Sequence, residues 1–232
     1  MTTTVRQLRP SLRSSAPGLN YERSLWADGN ATVVGIDEVG RGSWAGPLTV
    51  AAVVVPQDER IYKVRDSKQL TEGERESMMD RITNWAAQWS VGHAWPDECD
   101  ALGMSAAQQL ATNRALNNIN GDIDHALVDG NWDFVGRGST TTIVKGDAKS
   151  LSIAAASIVA KVTRDRLMRE AALEFPWYSF ESNKGYPCHR HRAALALLGP
   201  SVIHRTSWAY MSGLPWSGID GCGESPSSLT LF

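Results

Sequence analysis

The chain has 232 residues, 42% of them hydrophobic and 21% charged, enough to bury the core of one globular domain of ordinary size. Its net charge of −2 and the absence of any apolar run near the roughly 18 residues a membrane span needs argue against a membrane protein. Three scattered cysteines (Cys99, Cys188 and Cys222) are too few for a disulfide framework or a zinc site, so free thiols in a reducing cytoplasm are expected.

Residues 1–16 carry Arg6, Arg9 and Arg13 with no acid. They are expected as a mobile basic arm, an organelle-targeting peptide being the weaker reading. Tyr21–Trp26 fits a short amphipathic helix. Thr32–Ile36 is β-branched and apolar, a buried strand, and Leu48–Val55 is a second one ended by Pro56. Only the glycine-rich turn Gly40–Gly46 separates them, which leaves no room for a crossover and predicts an antiparallel pair. Thr71-Glu-Gly-Glu74 is a capping-box pattern, so a helix is expected from there to about Trp89, followed by a strand over Ser90–Trp95. Asp97–Asn120 has helical periodicity, with Ala101, Met104, Leu110, Ala115, Leu116 and Ile119 as its buried positions. His125–Val128 and Thr140–Val144 read as strands, and Ser152–Leu173 as a helix that lies largely inside. A last helix over His191–Leu198 is stopped by Gly199-Pro200. This order predicts an α/β fold, a mixed sheet with helices packed on it and a C-terminal helical part. The Gly- and Ser-rich stretch 212–232 is expected to be a loose tail, leaving 17–211 as the domain.

Three short segments carry acids at expected strand ends. In Gly35-Ile-Asp-Glu-Val-Gly-Arg-Gly42 two adjacent carboxylates close a strand that must be buried, which is unfavourable unless they meet a cation or a donor. The glycines after them let backbone approach a ligand, and Arg41 offers a fork of donors for phosphate. On pattern alone, two acids facing water at a strand end fit equally well. Val128-Asp-Gly-Asn131 is also an ordinary turn signal, and the acid of Lys145-Gly-Asp147 is also a favourable charge before a helix. Taken together, Asp37, Glu38, Asp129 and Asp147 would meet if their strands are adjacent. Four carboxylates that close require divalent metal between them, and an all-oxygen donor set favours Mg²⁺ or Mn²⁺ over Zn²⁺. Charge is also distributed unevenly: 12 Lys and Arg against 18 Asp and Glu up to Asp133, then 11 against 7 beyond it. That balance permits a metal site beside a polyanion, and surfaces that bind nothing show it too.

These segments resemble the type 2 ribonucleases H. Gly35-Ile-Asp-Glu-Val-Gly-Arg-Gly-Ser-Trp-Ala-Gly-Pro47 is similar to the family's opening motif and Asp66-Ser-Lys68 to its next. Val128-Asp-Gly-Asn131 resembles the strand with the third acid. Lys145-Gly-Asp147 through Ser152-Ile-Ala-Ala-Ala-Ser-Ile-Val-Ala-Lys-Val-Thr-Arg-Asp165 resembles its longest motif, and Gly185-Tyr-Pro-Cys-His-Arg-His191 and Gly199-Pro-Ser-Val-Ile-His-Arg205 its last two. The motifs occur in order over about 17–211. Asp147 follows Asp129 by 18 residues, a short connection that looks like the bacterial form, ribonuclease HII.

The resemblance implies a ribonuclease H-like fold and an endonuclease. It would hydrolyse the RNA strand of RNA–DNA hybrids and cut 5′ to single ribonucleotides in duplex DNA, leaving 3′-hydroxyl and 5′-phosphate ends by a two-metal mechanism. The expected role is ribonucleotide removal in DNA repair or replication, by a cytoplasmic monomer. Asp37, Glu38, Asp129 and Asp147 would bind Mg²⁺ or Mn²⁺ and be catalytic. Gly40, Arg41 and Gly42 would clasp the ribonucleotide and read its 2′-hydroxyl, the group that separates RNA from DNA. Tyr186 would sense the RNA-to-DNA junction. Lys68, Ser152, Lys161, Arg164 and Lys184 are further candidates for backbone contacts, each as readily a surface charge or a cap. His189, His191 and His204 are read as structural. Trp44, Cys188 and Trp208 depart from the residues usual in the family, and none is a proposed ligand. A non-catalytic binding module and a DNA-only nuclease of the wider ribonuclease H-like group are the alternatives. Loss of a carboxylate would favour the first, and the Gly40-Arg41-Gly42 and Tyr186 pair speaks against the second.

Overall fold

In the computed structural model, which describes residues 16–59, 61, 64, 67, 70–136 and 138–214, the β-branched run after Ala31 forms strand β1 (Val33–Val39). Strand β2 (Leu48–Val54) returns antiparallel to it with Ile36 opposite Ala52, as the short connection requires. Strand β3 (Gln88–Ala94) pairs antiparallel with β2. Strand β4 (His125–Asp129) lies parallel to β1 on its other side, and β5 (Ser139–Ile143) lies parallel to β4. Among the described residues these form one mixed sheet in the order β3-β2-β1-β4-β5.

Strand alternation sends successive side chains of β1 to two different cores. Val34 and Ile36 pack with helices α3 (Pro96–Leu102) and α4 (Met104–Asn117) through Cys99, Ala107, Ala111 and Ala115. Val33 packs with Ile153 of α5 (Leu151–Glu174) and with Trp26 of α1 (Asn20–Ala27). Helix α2 (Glu72–Trp85) completes that side, burying Met78, Met79 and Ile82. Gly35 lets α5 settle directly on β1, since a Cβ there would lie 2.3 Å from the Ser152 carbonyl carbon. The second half of α5 joins α6 (Phe180–Asn183), α7 (His189–Leu198) and α8 (Ala209–Ser212) around Trp44, Met168, Phe180 and Leu195. The expected α/β architecture with a C-terminal helical part is therefore present.

Several boundaries differ from the sequence reading. β1 runs on through Val39, so Asp37 and Glu38 lie within the strand rather than past its end. α2 keeps its Thr71 capping box but stops at Trp85, because Gln88 and Trp89 pair with Val54 and Val53 in the sheet. The stretch expected as one helix over Asp97–Asn120 is two, broken at Gly103 with φ 75°. Of its expected buried positions Ala115, Leu116 and Ile119 are buried, Met104 and Leu110 are half-buried and Ala101 is exposed. The break turns Ala101 out of register with the α4 face, which is lined instead by Ala107, Ala111 and Ala115. At the C-terminus Leu214 is buried, so packing reaches past the expected tail boundary at residue 212. Residues 1–15, which hold nearly all of the expected basic arm, and 215–232 of the tail lie outside the described residues. Among the described residues no helix is long and apolar enough to cross a membrane.

Candidate active site

Parallel pairing of β1 with β4 matches Ile36 to Val128, so the next residues on each strand, Asp37 and Asp129, sit side by side. Asp147 reaches them from a short 3₁₀ turn (Gly146–Ala148) that follows β5 and leads into α5. One carboxylate oxygen from each of the three lies within 4.8 Å of the others. The Gly146 amide donates to Asp129 Oδ1 at 2.7 Å and locks that turn against the strand. Asp37 is 6% exposed and Asp147 3%. Burial, then the charges of Glu38 and Asp129, push the Asp37 carboxyl well above the usual carboxylate range, while Ser157 of α5 and the Glu38 amide, 2.7 Å from Oδ1, act the other way. A carboxylate this unwilling to ionise beside two others fits a site completed by a hard divalent cation, and every donor is oxygen. The sequence reading expected four clustered acids. Glu38 is not one of the three, because strand alternation carries it to the opposite face of β1 from Asp37. It still lines the same groove.

That groove has a volume of about 380 Å³, and its walls include Asp37, Glu38, Asp129, Arg41, Gly42, Lys161 and Tyr186. A larger apolar cavity of about 720 Å³ lies elsewhere, between His93, Trp95, Leu167 and Phe175. Its lining contains neither the aspartate cluster nor Tyr186, so size does not identify the site here. The wall facing the acids is the loop 40–47 with Tyr186. The Tyr186 hydroxyl accepts from the Gly40 amide at 3.0 Å, and the Trp44 amide donates to the Gly185 carbonyl at 2.8 Å. Gly40 has φ 88°, and a Cβ on it would lie 2.3 Å from Arg164 Nε, so no other residue fits between loop and arginine. Arg41 is exposed and its guanidinium lies 5.6 Å from the Trp132 ring centre.

Three of the weaker sequence candidates are corrected by their surroundings. Arg164 is fully buried and donates to the carbonyls of Pro47, Ala45 and Lys184 and to Ser43 Oγ at 2.8–2.9 Å, so it braces the loop and cannot reach a phosphate. Burial lowers its guanidinium to about 10, which leaves it charged at neutral pH. Lys184 is buried at φ 52°, with its ammonium on the Glu181 carbonyl. Ser152 is buried against Glu22. Lys161 does face the groove, held at 2.7 Å by Asp165. Lys68 lies outside the described residues.

Two residues that position the site, Arg205 and Glu22, were missed in the sequence, while His191 and His204 have the structural place expected of them. Arg205, also fully buried, donates to the carbonyls of Gly46 and Arg41 from behind the same loop. Glu22 is fully buried in α1, and its Oε1 accepts from the Ser152 amide and from both the Ser150 and Ser152 hydroxyls. It thereby clamps the start of α5, immediately after the turn bearing Asp147. His191 and His204 form a buried pair, Nε2 to Nε2 at 2.9 Å. The Ser201 amide donates to His204 Nδ1, so His204 carries its proton on Nε2 and donates to His191, whose Nδ1–H donates to the Tyr186 carbonyl. Both rings are neutral: burial depresses both, and His204 falls to about 3 with His191 beside it. The sequence signals were single charged or histidine residues in apolar surroundings, which do not by themselves name a partner.

Residues 34–211 match the family model for ribonuclease HII. The chain is 43% identical over 201 residues to the ribonuclease HII of Streptomyces avermitilis, covering 86% of each. It is 44% identical over 209 residues to that of a Synechococcus species, covering 88% of this chain and 94% of that protein. Among solved structures, ribonuclease H2 from Pyrococcus horikoshii superposes with a TM-score of 0.67 at 27% identity, covering 79% of this chain and 96% of that one.

Proposed function

The chain belongs to the ribonuclease HII family, and from that premise we propose that it cuts the RNA strand of RNA–DNA hybrids and the 5′ side of single ribonucleotides embedded in duplex DNA. It is a ribonuclease H, a hydrolase and an endonuclease. One observation carries the finer reading: Asp37 and Asp129, two of three carboxylates within 4.8 Å of one another, line one groove with Arg41, Gly42 and Tyr186.

Asp37, Asp129 and Asp147 would hold Mg²⁺ or Mn²⁺, with Glu38, on the opposite face of β1 but lining the same groove, contributing from there. The chemistry that divalent ions held there would supply is activation of a water and stabilisation of the leaving 3′-oxygen, the two-ion form of phosphodiester hydrolysis. The protein's own residues do the selecting. Gly42 has open space around its Cα, with nothing within 4 Å of a Cβ placed there, so backbone here can approach a ribose closely. The Gly40 amide is already taken by Tyr186, which fixes the turn and the ring as one unit. That unit reads a 2′-hydroxyl on one side and, through the ring, its absence on the next nucleotide. Lys161, steadied by Asp165, supplies a positive charge at the rim. The reading extends to a catalytic unit over 17–211 working as a monomer in the cytoplasm in ribonucleotide removal.

The test is a labelled DNA duplex with one ribonucleotide, incubated with protein and Mg²⁺ or Mn²⁺ beside all-DNA and EDTA controls. Cleavage immediately 5′ to the ribonucleotide, absent from both controls, is the expected result. Folded protein that leaves the duplex intact with either ion would overturn the proposal. Tyr186→Ala is expected to reduce cleavage of the single-ribonucleotide duplex about 10- to 100-fold and of long hybrids much less. Equal loss on both would remove its junction role.

A further inference from the structure

We propose that Arg192, held over the rings of Trp44 and Tyr210, is a phosphate anchor for the strand that continues past Tyr186; the proposal rests on the reading of the groove given above. Trp44 is nearly buried and stacks on Tyr210 with ring centres 4.0 Å apart and planes at 14°. The Arg192 guanidinium lies 5.5 Å from the Trp44 ring centre and 5.9 Å from that of Tyr210. Because the Trp44 amide donates to the Gly185 carbonyl, this platform is fastened to the residue just before Tyr186.

Arg192 and its neighbours His189 and Arg190 are exposed. Among the described residues neither arginine has a carboxylate within 4.0 Å. The exposed arginine of α5 behaves differently: Arg166 pairs with Glu76 at 2.6 Å, and its part-exposed neighbour Arg169 pairs with Glu72 and Glu76. Positive charge is thus paired with carboxylates at Arg166 and Arg169 of α5 and left without a carboxylate partner at Arg190 and Arg192 of α7. A guanidinium resting on aromatic faces keeps its in-plane donors for phosphate and has already lost much of its rotamer freedom, so less is lost on binding. Unpaired positive charge on a platform hydrogen-bonded to Gly185, next to the Tyr186 that lines the groove, assigns the occupant as the nucleic-acid backbone.

The experiment measures steady-state cleavage of the single-ribonucleotide duplex with Mg²⁺ from 50 to 200 mM salt. Arg192→Ala is expected to raise KM about fivefold to tenfold at unchanged kcat, with the slope of log(kcat/KM) against log salt shallower by about 0.9, one lost phosphate contact. Trp44→Leu keeps the charge but removes the platform, and should raise KM by a smaller factor with little change of slope. The double variant should be no worse than Arg192→Ala alone. Arg166→Ala, already ion-paired, should match the wild type. Arg192→Ala with wild-type KM and slope, in protein of unchanged melting temperature, would overturn the anchor while leaving the nuclease reading intact. A wild-type protein that does not cleave the duplex would overturn both.

Discussion

The two walls of the groove are held by different physics. On the carboxylate wall, backbone pairing does the placing: β1 and β4 run parallel and in register, and two aspartates meet because their strands do. Across from it, the loop 40–47 belongs to no regular element: the buried Arg164 and Arg205 hold it by its carbonyls from behind, and the Tyr186 hydroxyl accepts from its Gly40 amide. The first wall can lose a side-chain charge and keep its shape. The second cannot lose its arginines, because each would leave several buried carbonyls without a donor.

The sharpest test of that contrast is Asp129→Asn. It keeps an acceptor for the Gly146 amide and removes one negative charge beside Asp37, so melting should be unchanged or slightly higher. Cleavage should fall about a thousandfold, several kcal/mol of transition-state stabilisation. Near-normal rates would show that the aspartates are not the chemical wall. Arg164→Met is expected to do the reverse, lowering stability by about 3 kcal/mol or more in chemical denaturation. The surviving folded fraction should bind metal normally and show a raised KM. A variant as stable as the wild type would mean that the loop holds itself.

The histidine pair predicts a pH dependence confined to the second wall. His204 titrates at about 3 when folded against an ordinary 6.5, so below pH 6.5 the unfolded chain takes up a proton that the folded chain refuses. Stability is then fully present above 6.5 and is lost as pH falls, by up to about 1.4 kcal/mol per unit from this residue. Denaturation series at pH 7 and pH 5 on wild type and His204→Asn would check it, and the variant should lose part of the difference. The smallest effect is expected at Glu22→Gln. This residue clamps the start of α5 behind Asp147, and its loss should weaken Mn²⁺ binding up to about tenfold by calorimetry. Loss of thermal stability alone, with metal affinity intact, would make Glu22 a purely structural clamp.

What could be read beforehand follows the same division. The antiparallel hairpin and the capping box at Thr71 were legible from local pattern, whereas the β-branched run ending in Asp-Glu became a candidate site only when the three acidic segments were taken together. That Glu38 stands apart from the three aspartates also follows from strand alternation, once β1 is known to run through Val39. Arg164 was offered as a backbone contact beside Lys161, three residues before it on the same helix, and that spacing says nothing of what covers each side chain. Lys184 and Ser152 failed for the same reason: a charge or a hydroxyl looks alike in sequence whether it meets a phosphate or a carbonyl.

By itself the amino-acid sequence determined the family, through motifs in order along the chain, the order of the five strands, and the candidate carboxylates, since each of these signals is carried by residues close together. Tertiary structure alone decided which acids converge, that Arg164 and Arg205 brace the loop 40–47, and that Glu22 and the neutral His191–His204 pair stand behind Asp147 and Tyr186. Each of those contacts joins residues far apart in sequence or depends on burial, and the energy of a buried hydrogen bond depends on the partner it meets and on the water it excludes.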